Sequence, residues 1–207
     1  MRSTKVFLAD AGSTDGTQDL AMAFAGRLNI EVIPGGLPSV GRNAGARRAT
    51  TPYVLFIDAD MELKDPTLLR RAMALAERRE LHCVTTNIWC SQGTARDGVL
   101  YFLNNVAQYG SLLVKPFSTG MFMLFEKATF DRLGGFHEQA LYAEDYLLSK
   151  KVKNRRFGIV SGSIQTTNRR FRSMGHWKIV SMFLKTMVNS WNDNYFLHDH
   201  GYWRQKV

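Results

Sequence analysis

The chain has 207 residues, 45% of them hydrophobic and 22% charged, with a formal net charge of +9. That composition excludes a disordered chain, and the length suits one α/β domain with room for a C-terminal appendage. No apolar run reaches the ~18 residues of a membrane-spanning helix, and the opening residues lack the apolar core and cleavage site of a signal peptide.

In chain order, Lys5 to Ala9 is a short apolar run ending at Asp10, and Ala11-Gly12-Ser13-Thr14-Asp15-Gly16-Thr17 follows as a turn. Helical spacing of Leu20, Ala21, Phe24 and Leu28 predicts a helix from Thr17 to Leu28. Ile30 to Ile33 reads as a strand closed by Pro34-Gly35-Gly36, and Ser39 to Ala49 as a helix carrying Arg42, Asn43, Arg47 and Arg48. Tyr53 to Ile57 is unbroken apolar sequence, as expected of a strand covered on both faces, and it ends at Asp58-Ala59-Asp60.

A helix from Pro66 to Arg79, a strand from His82 to Ile88, a helix from Gly98 to Tyr109 and a strand from Gly120 to Phe125 come next. Cys83 and Cys90 are too few for a disulfide framework and read as thiols of a cytoplasmic protein. Leu141 to Val152 reads as a helix containing Glu144-Asp145, with strands near Phe157–Val160 and Ser163–Thr167. A long helix begins at His176. Its polar stripe is Lys178, Ser181, Lys185 and Asn189, and the rest is apolar and aromatic. A helix packed on the domain or a dimer partner and an interfacial membrane helix both fit that pattern.

Alternating strands and helices imply an α/β fold with a Rossmann-like, mostly parallel sheet flanked by helices, plus this C-terminal amphipathic helix. Ligands of such sheets bind beyond the carboxyl ends of the strands, so the turns at Asp10 and Asp58 are expected to converge on one crevice. Residues 1–175 form the expected main domain and residues 176–207 a basic, aromatic tail. Residues 150–207 hold 12 Lys and Arg against 2 Asp and Glu, whereas residues 1–149 hold 15 against 16. The basic segment calls for an anionic partner, such as a pyrophosphate or a phospholipid surface. No nucleic-acid motif accompanies it.

Two carboxylates one residue apart, at the exposed end of a buried strand, can orient a hard cation that keeps room for phosphate oxygens. Taken alone, Asp58-Ala59-Asp60 could equally be solvated carboxylates. Glu144-Asp145 could be an ordinary acidic helix start, and the basic run around Arg169 and Arg170 a solvated face. His176, His198 and His200 are candidate additional ligands, each read more simply as a lone surface histidine.

Together the motifs resemble glycosyltransferase family 2. Leu8-Ala9-Asp10-Ala11-Gly12-Ser13-Thr14-Asp15-Gly16-Thr17 is similar to its second-strand motif. Gly41-Arg42-Asn43-Ala44-Gly45, followed by Tyr53 to Asp60, resembles its next signature. Gly134-Gly135-Phe136 with Ala143-Glu144-Asp145 resembles its acceptor-side motif, and Arg169-Arg170-Phe171-Arg172-Ser173-Met174-Gly175 a basic segment of some members. The resemblance implies a GT-A fold and an inverting transferase using a nucleotide-sugar, with a UDP-sugar favoured, and Mg²⁺ or Mn²⁺.

By the same resemblance Asp10 would contact the base, and Arg42 would help hold the nucleotide. Asp60 would be the principal metal ligand, with Asp58 at the ribose or the metal's surroundings. Asp145 would be the general base, and Arg169 and Arg170 would neutralise the pyrophosphate. The implied acceptor is a glycan or lipid-linked hydroxyl, in the cytoplasm or peripherally on the membrane through the C-terminal helix. An exposed apolar helix or an open sheet would favour a homo-oligomer.

The family's usual opening strand and helix have no counterpart in this sequence. A wrongly placed start, a truncated product, and a sheet closed differently or completed by another chain all fit that departure. Hence a second reading, a non-catalytic remnant or interaction module without a complete donor site, stands beside the transferase. A phosphatase of the haloacid dehalogenase type fits less well, because Asp60 precedes Met61-Glu62-Leu63.

Overall fold

The structure is a computed structural model that describes residues 4–201. The strands are β1 (Lys5–Asp10), β2 (Asn29–Pro34), β3 (Tyr53–Ile57), β4 (Cys83–Cys90), β5 (Phe122–Glu126) and β6 (Phe157–Thr166). The helices are α1 (Thr17–Met22), α2 (Pro38–Arg48), α3 (Leu68–Arg79), α4 (Ala95–Ser111), α5 (Lys127–Arg132), α6 (Glu144–Ser149), α7 (Arg169–Met174) and α8 (His176–Val188).

The sheet is in two parts. β1 and β2 form a parallel pair, and a separate four-stranded sheet has the order β3-β5-β4-β6. Within it β5 runs antiparallel to both β3 and β4, while β4 and β6 are parallel. Thus β3, β4 and β6 point one way and β5 alone is reversed, in keeping with a mostly parallel α/β fold.

The pleat of β5 divides the core. Met123 and Phe125 pack on one face with Phe56, Phe130, Phe136, Leu148 and Phe157. Phe122 and Leu124 pack on the other with Leu68, Ala72, Ala76, Val84 and Ile164. Successive strand residues point to opposite faces, so a continuous apolar run is what a doubly covered strand requires. Burying each such large side chain contributes roughly 1.5–3 kcal/mol.

Helix α4 starts at a capping box in which Thr94 and Asp97 satisfy each other's backbone N–H groups. The same Asp97, 1% exposed, accepts from Asn168 and pairs at 2.7 Å with His176. This buried carboxylate thereby joins the start of α4 to the start of α8. His176 also stacks on Phe171, so it is a partly buried structural group rather than a lone surface histidine.

Several boundaries differ from expectation. Helix α1 stops at Met22, and Leu20, Phe24 and Leu28 are exposed: among the described residues no element covers that stripe. The two strands expected within 157–167 are one strand, β6, whose register against β4 shifts at Thr86/Asn87 where Gly162 has φ 120°. The helix expected over 141–152 is the short α6, entered through Ala143 at φ 50°. The basic segment Arg169–Met174 is itself helical.

Helix α8 buries Met182, bonds Thr186 Oγ1 to Tyr142 Oη at 2.9 Å and sets Phe183 against Phe117. Its other face leaves Trp177, Leu184, Met187 and Val188 exposed. Beyond it Phe196 is fully buried against Ala140 and Leu147, beside α6. Among the described residues no helix is long and apolar enough to cross a membrane.

Candidate active site

The site is assembled by α2, which follows β2 and lies across the carboxyl ends of β1 and β3. Gly41 lets the helix approach β1: a Cβ there would stand 3.0 Å from that of Ala9. The next residue, Arg42, is turned into the molecule. Its Nη2 donates to Asp58 Oδ1 at 2.6 Å and its Nη1 to Glu144 Oε1 at 2.6 Å, with Gly120 O at 3.4 Å. Its guanidinium lies over the Phe136 ring, 5.3 Å from the centroid.

Burial would pull the Arg42 pKa down, but Asp58 and Glu144 outweigh it and hold the group above its ordinary value. Arg42 is therefore a fixed buried cation. Its fork geometry suits two carboxylates at once.

Asn43, the next residue, holds the Gly134-Gly135-Phe136 turn. Its amide nitrogen donates to Phe136 O at 2.8 Å, and its oxygen accepts from Phe136 N at 3.0 Å. Gly135 has φ 68°, and a Cβ there would lie 2.7 Å from the Asn43 oxygen, so both conformation and space demand glycine. Two motifs far apart in sequence are thus one hydrogen-bonded unit.

Asp145 sits at the floor of the crevice, densely surrounded yet still reached by solvent. Its carboxylate accepts from Gly120 N and from Tyr146 N. Burial and the adjacent Glu144 push its pKa from an ordinary 3.8 up to about 7, against the opposing pull of Arg42. The neighbouring Thr119 also lines the crevice, and its buried Oγ1 has no hydrogen-bond partner among the described residues.

Asp60 is more exposed than Asp58 and pairs with Arg169 at 3.0 Å. Arg170 also lines the crevice. Asp10, at the end of β1, turns its carboxylate into its own loop. It accepts from Gly12 N, Ser13 N, Ser13 Oγ and Gln18 Nε2, and these bonds, led by the Ser13 hydroxyl, lower its pKa to about 2.

The structure therefore brings Arg42, Asp58 and Asp145 into one cluster, with Asp60 and Arg169 joined at its edge. The Asp10 carboxylate is engaged within its own turn, and Asp10 is not among the residues lining the crevice. Sequence reasoning missed the pairing of Glu144 with Arg42, the fit of Gly120 against Arg42, and Thr119. Only the acidic pair at 144–145 carried any signal of these.

Among the described residues no group of three His, Cys, Asp or Glu side chains converges as a metal cage. His198 bonds Asn194 O, and His200 stacks on Tyr195. Asp58 and Asp60, paired here with Arg42 and Arg169, are carboxylates of the chemistry that a hard cation of the magnesium type takes, one or two at a time with water and phosphate oxygens completing its shell.

The mixed α/β architecture, with parallel-rich sheets flanked by helices, is that of a GT-A fold. The profile of Glycosyl transferase family 2 matches residues 2–134, and the chain belongs to that family. Solved structures agree on the fold. TarS (residues 1–349) of S. aureus in complex with UDP-GlcNAc is similar with a TM-score of 0.62 at 18% identity, over 80% of this chain and 50% of that one. The mannosyltransferase PcManGT of Pyrobaculum calidifontis, in complex with GDP-Man and Mn²⁺, gives 0.61 at 19%, over 87% and 55%. Mannosyl-3-phosphoglycerate synthase of Rubrobacter xylanophilus gives 0.58 at 16%, over 95% and 66%. The chain thus spans about half the length of the first two. No curated protein matches in sequence.

Proposed function

We propose that the chain is an inverting glycosyltransferase, moving a sugar from a nucleoside-diphosphate donor, a UDP-sugar in preference, to a hydroxyl acceptor. The observation that carries this reading is Asp145: a crevice carboxylate poised near neutral pH, interacting with Arg42, which itself bonds Asp58 past the end of β3. A base titrating near the working pH is best matched to removing a hydroxyl proton.

In this reading Asp145 takes the acceptor proton as the acceptor oxygen forms its bond to the anomeric carbon. The bond from that carbon to the diphosphate oxygen breaks on the opposite face, and the nucleoside diphosphate leaves with the electron pair. One displacement inverts the anomeric centre. Asp60, with Asp58, would hold Mg²⁺ or Mn²⁺, which supplies charge neutralisation to the departing diphosphate. Arg169 and Arg170, which line the same crevice, would add to that neutralisation. Asp10 would meet the base, and Arg42 supports the nucleotide site by fixing Asp58 rather than by reaching out as a free cation.

The acceptor is a glycan or a lipid-linked hydroxyl. The exposed Trp177, Leu184, Met187, Val188 and Trp191, beside Lys178 and Lys185, support peripheral contact of a cytoplasmic protein with an anionic membrane. A second reading, a remnant without a complete donor site, draws support from the break in the sheet between β1 and β3. Calorimetric titration with UDP and GDP, with and without Mn²⁺, separates the two. Mn²⁺-dependent binding of one nucleotide supports the transferase, and no binding to either supports the remnant.

A further inference from the structure

Helix α4 is turned inside out. An amphipathic helix of a globular protein buries its apolar stripe and leaves its polar face to water. Here the inward face is the polar one. Asn105 donates to Ile88 O at 2.9 Å and accepts from Ile88 N at 3.0 Å, and Gln108 donates to Thr86 O at 3.2 Å. These bonds to β4 fix the rotation of the helix. They leave Val99, Phe102, Val106 and Tyr109, one stripe at helical spacing, roughly half exposed, and Leu113 just past the helix more exposed still.

Helix α8 runs beside α4 in the same direction. Asp97 and His176 join the two where they start. Just past the end of α4, Phe117 meets Phe183 of α8, and Lys115 lies 5.9 Å from the centroid of the Trp191 ring. Between the helices opens the crevice that holds Asp145, lined there by Leu103 and Ala107 of α4 and by Ile179 and Phe183 of α8. The exposed stripe of α4 lies opposite the buried Gln108, and Leu184 and Trp191 lie opposite the buried Met182. Two apolar faces thus look outward on either side of the crevice mouth.

We infer that α4 and α8 together dock the chain on an anionic lipid bilayer, with the crevice mouth between them facing the lipid. The inference adds α4 and an orientation to the membrane contact proposed for α8, and it rests on that reading. Charge selects this occupant over a second copy of the chain. Residues 168–191 contain no Asp or Glu, and residues 95–115 contain only Asp97, which is buried and paired with His176. Arg96, Lys115, Lys178 and Lys185 are exposed around the two stripes. A two-fold dimer would set this surface against itself, cation facing cation with no carboxylate to answer. Anionic headgroups supply that charge, and Tyr109, Trp177 and Trp191 are side chains of the kind that sits at headgroup level. Among the described residues no helix can cross a bilayer, so both helices lie in the plane of its surface.

The test is sedimentation of the full chain with vesicles of phosphatidylcholine, alone or with about a third phosphatidylglycerol. Phe102→Ser with Val106→Ser cuts the α4 stripe at exposed positions, and Leu20→Ser with Phe24→Ser removes exposed apolar surface elsewhere as a control. The expected result is preferential binding to the anionic vesicles, weakened about tenfold or more by the α4 pair and unchanged by the control pair. Undiminished binding of the α4 pair overturns the role of α4 and leaves that of α8 standing. Binding to neither vesicle overturns the membrane contact altogether, and equal binding to both overturns the choice of anionic lipid. A dimer in light scattering that the α4 pair dissociates would assign the surface to a second copy instead. No nucleotide enters these readouts, so none of them bears on sugar transfer.

Discussion

Arg42 Nη1 lies 2.6 Å from Glu144 Oε1, and this bond ties the helix crossing the two acidic strand ends to the helix that carries Asp145. Side-chain exposures of 14% and 11% mean that neither charge has water as a substitute partner. Removing the cation strands Glu144 and takes from Asp58 its ion-pair partner. Arg42→Ala should therefore lose about 3 kcal/mol of stability, measured by urea unfolding. It should also raise the Asp145 pKa further, moving any pH profile toward higher pH.

Asp145→Asn removes the proton acceptor while keeping the shape. Transfer should fall by roughly 10²–10⁴-fold, with Mn²⁺-dependent nucleotide binding largely kept. Normal turnover by this variant would end the assignment.

The same group makes stability depend on pH. Asp145 titrates near 7 when folded against an ordinary 3.8, so between those values the folded chain holds a proton the unfolded chain has released. The associated stability is full below 3.8 and is lost as pH rises through about 7. Asn at 145 cannot titrate. The melting temperature of Asp145→Asn relative to the parent should rise between about pH 4 and pH 7 and level off above, and a difference constant from about pH 5 upward would show that Asp145 titrates normally.

Asp60→Ala should weaken Mn²⁺-dependent binding of the nucleoside diphosphate in calorimetry. Its pair with Arg169 is exposed, so the melting temperature should hardly move. Titration curves identical to the parent's would remove Asp60 from the metal site.

Gly120→Ala places a methyl group 2.6 Å from Arg42 Nη2. The guanidinium must shift, loosening its hold on Asp58, and the overpacking should cost about 1–3 kcal/mol. A variant as stable as the parent by urea unfolding would mean that Arg42 is free to move.

The sequence by itself determined the strands and most helices, because apolar runs and helical spacing are local properties. Tyr53–Ile57 and Pro38–Arg48 stand within a residue or so of where spacing puts them. It determined the family too, since the motifs around Asp10, Asp58 and Glu144-Asp145 occur in order. It could not show that Glu144 neutralises Arg42 across 102 positions, or that Asn43 clamps Phe136 across 93. Nor could it show that Asp10 spends its carboxylate within its own turn. Partners so distant are chosen by packing, and a residue's charge state follows from its partners. The tertiary structure alone also decided that Tyr53–Ile57 pairs, among the described residues, with β5 only: pairing is a property of neighbours, and composition records only what a strand is suited to meet.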